Sequence, residues 1–437
     1  MGKAVEVFLG AAAQRFGVYV ERLAHSLGHA DRHEPLRGYL TGLVLPGARK
    51  SVEPMAALLA PERVRQTHQS LHHLVADAPW EDEAVLKAVR EYALAAIEQR
   101  GPIEAWIVDD TGIPKKGRHS VGVARQYCGQ LGKQDNCQVA VTLSVANDAA
   151  SLPIAYQLYL PEPWASDRRR RRQAGVPEEI RFLTKPEIAL EQITAAVEQG
   201  MAVGVVLADA AYGNDSQFRQ GLEALGLKYA LGVQSTTTVW PEGSRPLVPP
   251  PYRGCGRPPK LLRRDAAHQP LAVRELALRL APTAWHMVSW REGTAGMMRS
   301  RFAAVRVRAA HRDYWRARPH GEQWLLIEWP KASAEPTKYW LANLAAATPL
   351  KQLVRTAKLR WRIERDFQEL KQELGLNHFE GRSWRGFHHH ATLCIAAYGF
   401  LVAERCAFSP AGSLCHQSLS PPPYFRPRGA SDKAAAP

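Results

Sequence analysis

Asp109 and Asp110 close the apolar run IEAWIVDD, Asp209 closes the apolar run AVGVVLAD, and Glu364 lies within the helix-like stretch KLRWRIERDFQELKQELGL. Carboxylate oxygens are hard donors and select hard divalent cations. Two such cations about 4 Å apart make a water or hydroxyl reactive at neutral pH and neutralise the leaving oxygen of a phosphodiester. Acids at the carboxyl ends of neighbouring strands can converge on one point, with a helix supplying a third. Taken singly, each also reads as a strand-ending turn residue or a helix-surface charge, and most isolated Asp residues after strands are that. Side chains alternate along a strand, so only one of Asp109 and Asp110 can face such a site.

The surroundings of Glu364 shift the balance. Arg360 stands four residues before it and Lys371 seven after, within a stretch that reads as one long helix over 349–373. At about 3.6 residues per turn those offsets place all three on one face. An i,i+4 ion pair worth a few tenths of a kcal/mol accounts for Arg360 and Glu364 alone. A metal-binding carboxylate with cations for phosphate on either side accounts for the whole set. Lys115 and Lys116 follow Asp109 in a Pro-Gly loop and read equally as phosphate contacts or as a solvated turn; GIPKKG lacks the Gly spacing and G-K-[ST] of a P-loop. Arg168–Arg172 form an unbroken cationic run, either a solvated loop or a contact to nucleic-acid backbone. His25, His29 and His33 recur every four residues, as do His68 and His72, but without a Cys or acid at ligand spacing they read as a stripe facing solvent or DNA.

The elements that must position these residues are legible in the pattern. Residues 1 to about 100 are helical in spacing, with Pro61 separating two helices and Gly101-Pro102 ending the region. Three strand-like runs follow (IEAWIVDD, NCQVAVTLSVAND, LPIAYQLYLP). Then come the amphipathic helix KPEIALEQITAAVEQG, the strand AVGVVLAD, the helix NDSQFRQGLEALG with an Asn cap, and the strand KYALGVQ. Residues 236–334 are Pro-interrupted, cationic and strand-rich, an insertion. KYWLANL resumes as a strand bearing Trp340, and 385–406 is an apolar helix. The Pro/Ser/Ala/Gly-rich segment 407–437 reads as a disordered tail.

Composition sets the class of partner. Among 437 residues, 57 Lys and Arg face 42 Asp and Glu, a formal net charge of +15, which favours a polyanion. The six cysteines are scattered without a C-x-x-C pair, so neither a disulfide framework nor a Cys-type zinc site is suggested and a reduced cytosol is expected. No signal peptide is evident, and no run reaches the roughly 18 apolar residues of a membrane span.

RWRIERDFQELKQELGL resembles the Tyr-x2-Arg-x3-Glu-x6-Lys signature helix of DDE insertion-sequence transposases, with Arg360, Glu364 and Lys371 on its last three positions and Ala357 where the family has Tyr. WIVDDTGIPKKG resembles the first-strand motif and VVLADAAYGND the second-Asp motif, and the flanking segments are similar to the subgroup carrying D-D/E-T-G-x-x-K-K-G. The likeness runs over roughly 100–400, with the motifs in order. It implies an RNase H-like α/β core (101–235 and 335–406) with a mixed five-stranded sheet, split by a β-rich insertion and preceded by a helical DNA-binding domain over 1–100. It also implies that Asp109, rather than Asp110, holds two Mg²⁺ ions (Mn²⁺ as substitute) with Asp209 and Glu364. Arg360 and Lys371 would position DNA, helped by Lys115 and Lys116. Trp340 would stack on a flipped base, or else be an ordinary core tryptophan, and His390 would sit near the metals. The reaction implied is cleavage at element ends and joining of the 3′-hydroxyl to target DNA. It would be carried out by a homodimer in a synaptic complex on terminal inverted repeats, in a bacterial cytoplasm at the nucleoid and away from membranes. An RNase H-like nuclease or resolvase that does not join strands, and a decayed transposase acting as a DNA-binding regulator, are the alternatives.

Overall fold

The computed structural model describes residues 3–293 and 296–408; most of the segment expected to be a disordered tail lies outside them. Five helices come first: α1 (Lys3–Ala24), α2 (His33–Val44), α3 (Val52–Leu59), α4 (Val64–Ala76) and α5 (Asp82–Glu98). Pro61 stands between α3 and α4, where a helix interior cannot lack its N–H. Strands β1 (Ala105–Pro114), β2 (Ala124–Cys128), β3 (Lys133–Ala146) and β4 (Ser151–Leu158) follow, then helices α6 (Glu162–Ala165), α7 (Arg168–Ala174) and α8 (Lys185–Glu198). Next are β5 (Val205–Ala208), α9 (Ala210–Gly213), α10 (Ser216–Ala224) and β6 (Tyr229–Val233). The inserted segment holds β7 (Thr238–Pro241), β8 (Leu271–Ala272), α11 (Val273–Leu278), β9 (His286–Gly293), β10 (Gly296–Ala309) and β11 (Glu322–Trp329). The chain then forms β12 (Lys338–Ala342), α12 (Leu350–Lys358), α13 (Trp361–Gln372) and α14 (Trp384–Phe408). The fold is thus mixed α/β: an RNase H-like core with helices before it and a strand-rich interruption.

The chain divides into two compact units, and β1 contributes to both. One unit takes the chain up to Ile103, Asp109–Ile188 and the chain from Arg362. In it β3 pairs antiparallel with β2 and with β4. Helix α14 runs through its centre, packed on α2, α4, α5 and β4. Tyr19 donates to the Ala396 carbonyl at 2.8 Å, and Arg15 forks onto Glu404 at 2.8 and 2.7 Å. By length and composition α14 could cross a membrane, contrary to the expectation that no segment could. However, 83% of its apolar window is buried inside the molecule, as a helix apolar all round must be.

The other unit takes Glu104–Val108 and Ala189–Trp361. Here β1, β5 and β6 are parallel, and β12, β11 and β10 continue antiparallel from β6. β10 also pairs with β7 and β9. Val233, Val239, Val307, Leu325, Ile327 and Leu341 close a core against one face of these strands.

Four local expectations change. The stretch 349–373 is two helices: the Leu359 N–H is shared by the Arg355 and Thr356 carbonyls, both at 3.1 Å, and this tight last turn ends α12. The second helix after β5 is capped by Asp215, not Asn214, its carboxylate accepting the Gln217 and Phe218 N–H groups at 2.7 and 2.9 Å. The arginine run is a helix, capped by Asp167 and ended by Gly175 at φ 63°. Strand β2, charged and edge-placed, gave no apolar pattern to read.

Candidate active site

Asp109 follows Ala105–Val108, four residues that are fully buried where β1 pairs with β5. Contrary to the expectation from the apolar run, the strand does not end there: β1 runs on to Pro114 through buried Thr111 and Ile113, so Asp109 and Asp110 stand in its middle. One oxygen of Asp109 accepts the Asp110 N–H at 2.9 Å. Asp110 itself faces Lys185 on α8, whose ammonium lies 3.1 Å from its carboxylate.

Asp209 leaves β5 and caps the single-turn helix α9, accepting the Ala211 N–H at 2.9 Å. Its backbone place depends on two glycines. A Cβ on Gly213 would stand 1.9 Å from the Gly232 carbonyl oxygen, and one on Gly232 would stand 3.1 Å from the Asp209 carbonyl carbon. Glycine at both positions lets α9 rest directly on β6.

Glu364 is exposed in the first turn of α13. The opposite face of that helix buries Ile363, Phe367 and Leu370 together with two acids, Asp366 and Glu369. Asp366 accepts the Ser151 hydroxyl at 2.5 Å and the Tyr398 hydroxyl at 2.8 Å, and burial lifts its carboxyl to about pH 6. Glu369 accepts from Arg365 at 2.7 Å and from Arg405 at 3.1 Å. Carboxylates on an apolar stripe require such partners, and that placement was the available sequence signal for an anchoring role. With this face fixed, Glu364, Gln368 and Gln372 point to solvent.

Lys371 joins the Glu364 helix to the Asp109 strand. Its ammonium donates to the Gly112 carbonyl on β1 at 2.8 Å and lies 3.4 Å from Gln130, and burial lowers its pKa. Arg360 is separate: it occupies the two-residue turn between α12 and α13, so one helical face does not carry Arg360, Glu364 and Lys371 together. Ala357, at the family's Tyr position, is buried on α12.

The remaining cations and aromatics fall in different settings. Lys115 donates to the Phe379 carbonyl at 2.5 Å, and burial lowers its pKa to about 8, whereas Lys116 is exposed. Trp340 is 8% exposed, with the Lys358 ammonium 5.3 Å from its ring centre and Lys358 paired to Glu328 at 2.6 Å. That is a core tryptophan under a cation. His390 is also in the core: Tyr39 bonds its Nδ1 at 2.8 Å, its Nε2 meets the Gly375 carbonyl at 3.0 Å, and burial lowers its pKa to about 4. Both ring nitrogens are engaged, which removes it from metal chemistry. His25, His29 and His33 do not share a helix, since the chain breaks into 3₁₀ turns at His25–Leu27 and Ala30–Arg32. Among the described residues, no group of three or more His, Cys, Asp or Glu side chains is gathered to hold a metal ion.

The mixed α/β fold, with its helical region, is that of an RNase H-like core. Residues 22–297 match the family described as DDE superfamily endonuclease, and the chain belongs to that superfamily. Asp109 and Asp209 lie inside the matched residues and Glu364 beyond them. The chain is also 36% identical over 172 residues to a protein of Microchaete diplosiphon described as "Probable transposase for insertion sequence element IS701". That alignment covers 39% of this chain and 42% of the relative, so the chain spans less than half of the relative's length. Members of the superfamily are generally dependent on divalent metal.

Proposed function

We propose that this protein is a DNA transposase that cleaves insertion-sequence ends and joins the freed 3′-hydroxyl to target DNA. The observation that carries the proposal is the match of residues 22–297 to the DDE endonuclease superfamily. Asp109 on β1, Asp209 after β5 and Glu364 on the helix that Lys371 ties to β1 are the carboxylates proposed to hold the metals. Three carboxylates fit hard divalent cations and suit Mg²⁺, with Mn²⁺ as a substitute, better than softer metals. Two bound ions would supply a reactive nucleophile and charge neutralisation at the leaving oxygen.

The chain's own residues do the rest. Asp109 is held within the buried strand β1, and Asp209 at the exit of β5 by a cap with a glycine contact. The Asp366 and Glu369 anchors leave Glu364 on the exposed face. Arg360 and Lys116 meet phosphates, and Arg168, Arg169 and Arg172 are exposed to extend that contact along the backbone. Lys371 acts mainly as a strut. The substrate is double-stranded DNA carrying terminal inverted repeats, engaged by a homodimer because two ends must be cut together.

The test is a plasmid bearing the element's ends, incubated with purified protein and Mg²⁺. Nicks at the ends followed by joined products are expected, and Asp109→Asn, Asp209→Asn and Glu364→Gln should each remove both. Cleavage without joined product would reduce the reading to a nuclease. Wild-type behaviour of the Asp209→Asn and Glu364→Gln proteins would overturn it.

A further inference from the structure

The inserted segment carries a second chemistry, far in sequence from the three acids. Trp315 is 64% exposed and Tyr314 is 45% exposed, adjacent aromatic side chains both left to solvent. They sit in one 3₁₀ turn, Asp313–Trp315, with their rings edge to face at 5.4 Å. Exposed aromatics on a floppy loop mean little, but this turn is built from below. Asp313 is 1% exposed and accepts the Trp240 indole N–H at 2.7 Å and the Arg264 guanidinium at 2.6 Å. Arg264 also donates to the Ala310 carbonyl at 2.7 Å, and the Leu262 N–H bonds the Arg316 carbonyl at 2.9 Å, tying the turn to a second segment.

The surroundings are cationic. Between Ala310 and His320 the single acid is the buried Asp313, against Arg312, Arg316 and Arg318. Arg312 lies 5.6 Å from the Trp315 ring centre, and Arg263, beside the tied Leu262, is exposed. Arg312 is also the one non-glycine residue with positive φ among those described, at 54°. An L side chain adopts that conformation only when its surroundings impose it. Here it starts the turn that holds both rings outward.

We infer that Arg312, Tyr314 and Trp315 form a docking surface for single-stranded DNA, with guanidinium groups on the phosphates and the two rings stacking on unpaired bases. A duplex hides its base faces and would use the arginines alone; a single strand uses both. The choice of DNA as the polyanion rests on the DNA-processing reading given above.

The test is anisotropy of a dye-labelled oligothymidine of about 15 nucleotides and of a duplex of the same length, both without metal and at fixed salt. Trp315→Ala should weaken oligothymidine binding about 5- to 100-fold and leave duplex binding within about twofold, while Trp315→Phe, which keeps a π-face, retains most of the affinity. An unchanged oligothymidine affinity in Trp315→Ala, or equal losses on both DNAs, overturns the inference. Much tighter binding of oligouridine than oligothymidine overturns the choice of DNA. The Asp209→Asn/Glu364→Gln protein should bind oligothymidine like wild type, so the docking surface and the cleavage chemistry succeed or fail separately.

Discussion

Two adjacent carboxylates in the middle of β1 compete for one role, and an ion pair weighs against one of them. Asp110 neutralises the Lys185 ammonium at 3.1 Å, with both side chains less than one-third exposed. Withdrawing it to a metal would leave a half-buried ammonium without its carboxylate, which is costly. One oxygen of Asp109 accepts the next backbone N–H, and the resemblance places the first-strand Asp of the motif at this position. Cleavage of labelled element ends at saturating Mg²⁺ should therefore fall at least about 1,000-fold in Asp109→Asn and no more than about tenfold in Asp110→Asn. The reverse order would move the ligand to Asp110. The three acids were readable because each follows or lies in a recognisable pattern, two apolar strand runs and one cation-flanked helix, although β1 continues past Asp109 because Thr111–Ile113 are buried as well. The residues that hold them were not. Ser151 and Tyr398 stand 215 and 32 positions from Asp366, and no local pattern announces a pairing over such separations.

At the scale of elements, α13 is held by buried charge as much as by apolar contact, and this has a consequence in pH. Burial lifts the Asp366 carboxyl to about 6 from its ordinary 3.8. Between those values the folded chain retains a proton that the unfolded chain has released, so stability from this group is present at low pH and lost as pH rises through 6. His388, His389 and His390 on α14 act in the opposite sense. Burial depresses each to about 4, so their contribution is present above pH 6.5 and lost as pH falls towards 4. Asp366→Asn removes only the first slope. Urea titrations at pH 4 and pH 7 should show the variant gaining on wild type by up to roughly 3 kcal/mol at the higher pH; equal differences at both would show that Asp366 is ionised in the fold. Helix boundaries themselves were legible where Pro or Gly marks them, as at Pro61 and Gly200. The end of α12 at Leu359 has neither, and the amphipathic spacing runs on across it, so the helix break and the separate setting of Arg360 were hidden.

Across the whole molecule the surplus of +15 is not evenly available to a polyanion. Arg405 and Arg15 are tied to Glu369 and Glu404, Lys50 is buried against the Leu45 carbonyl at 2.7 Å, and Lys115 is turned to Phe379. Even within the arginine run, the helix sorts the five side chains. Arg171 donates to the Ile180 and Pro177 carbonyls at 2.6 and 2.7 Å, and Arg170 lies 3.7 Å over the Trp164 ring. Arg168, Arg169 and Arg172 remain exposed. Each cation that meets a duplex phosphate contributes about 0.9 to the slope of log K against log salt. Replacing these three with Ala should lower the slope for duplex binding by about 3 if all of them meet phosphates, with unchanged thermal stability because none supports the fold. Arg171→Ala should instead lower the melting temperature, since it leaves the Ile180 and Pro177 carbonyls without their donor, and should change the slope little. A slope unmoved by the triple replacement would take α7 off the DNA path and leave the surplus charge to act elsewhere on the molecule.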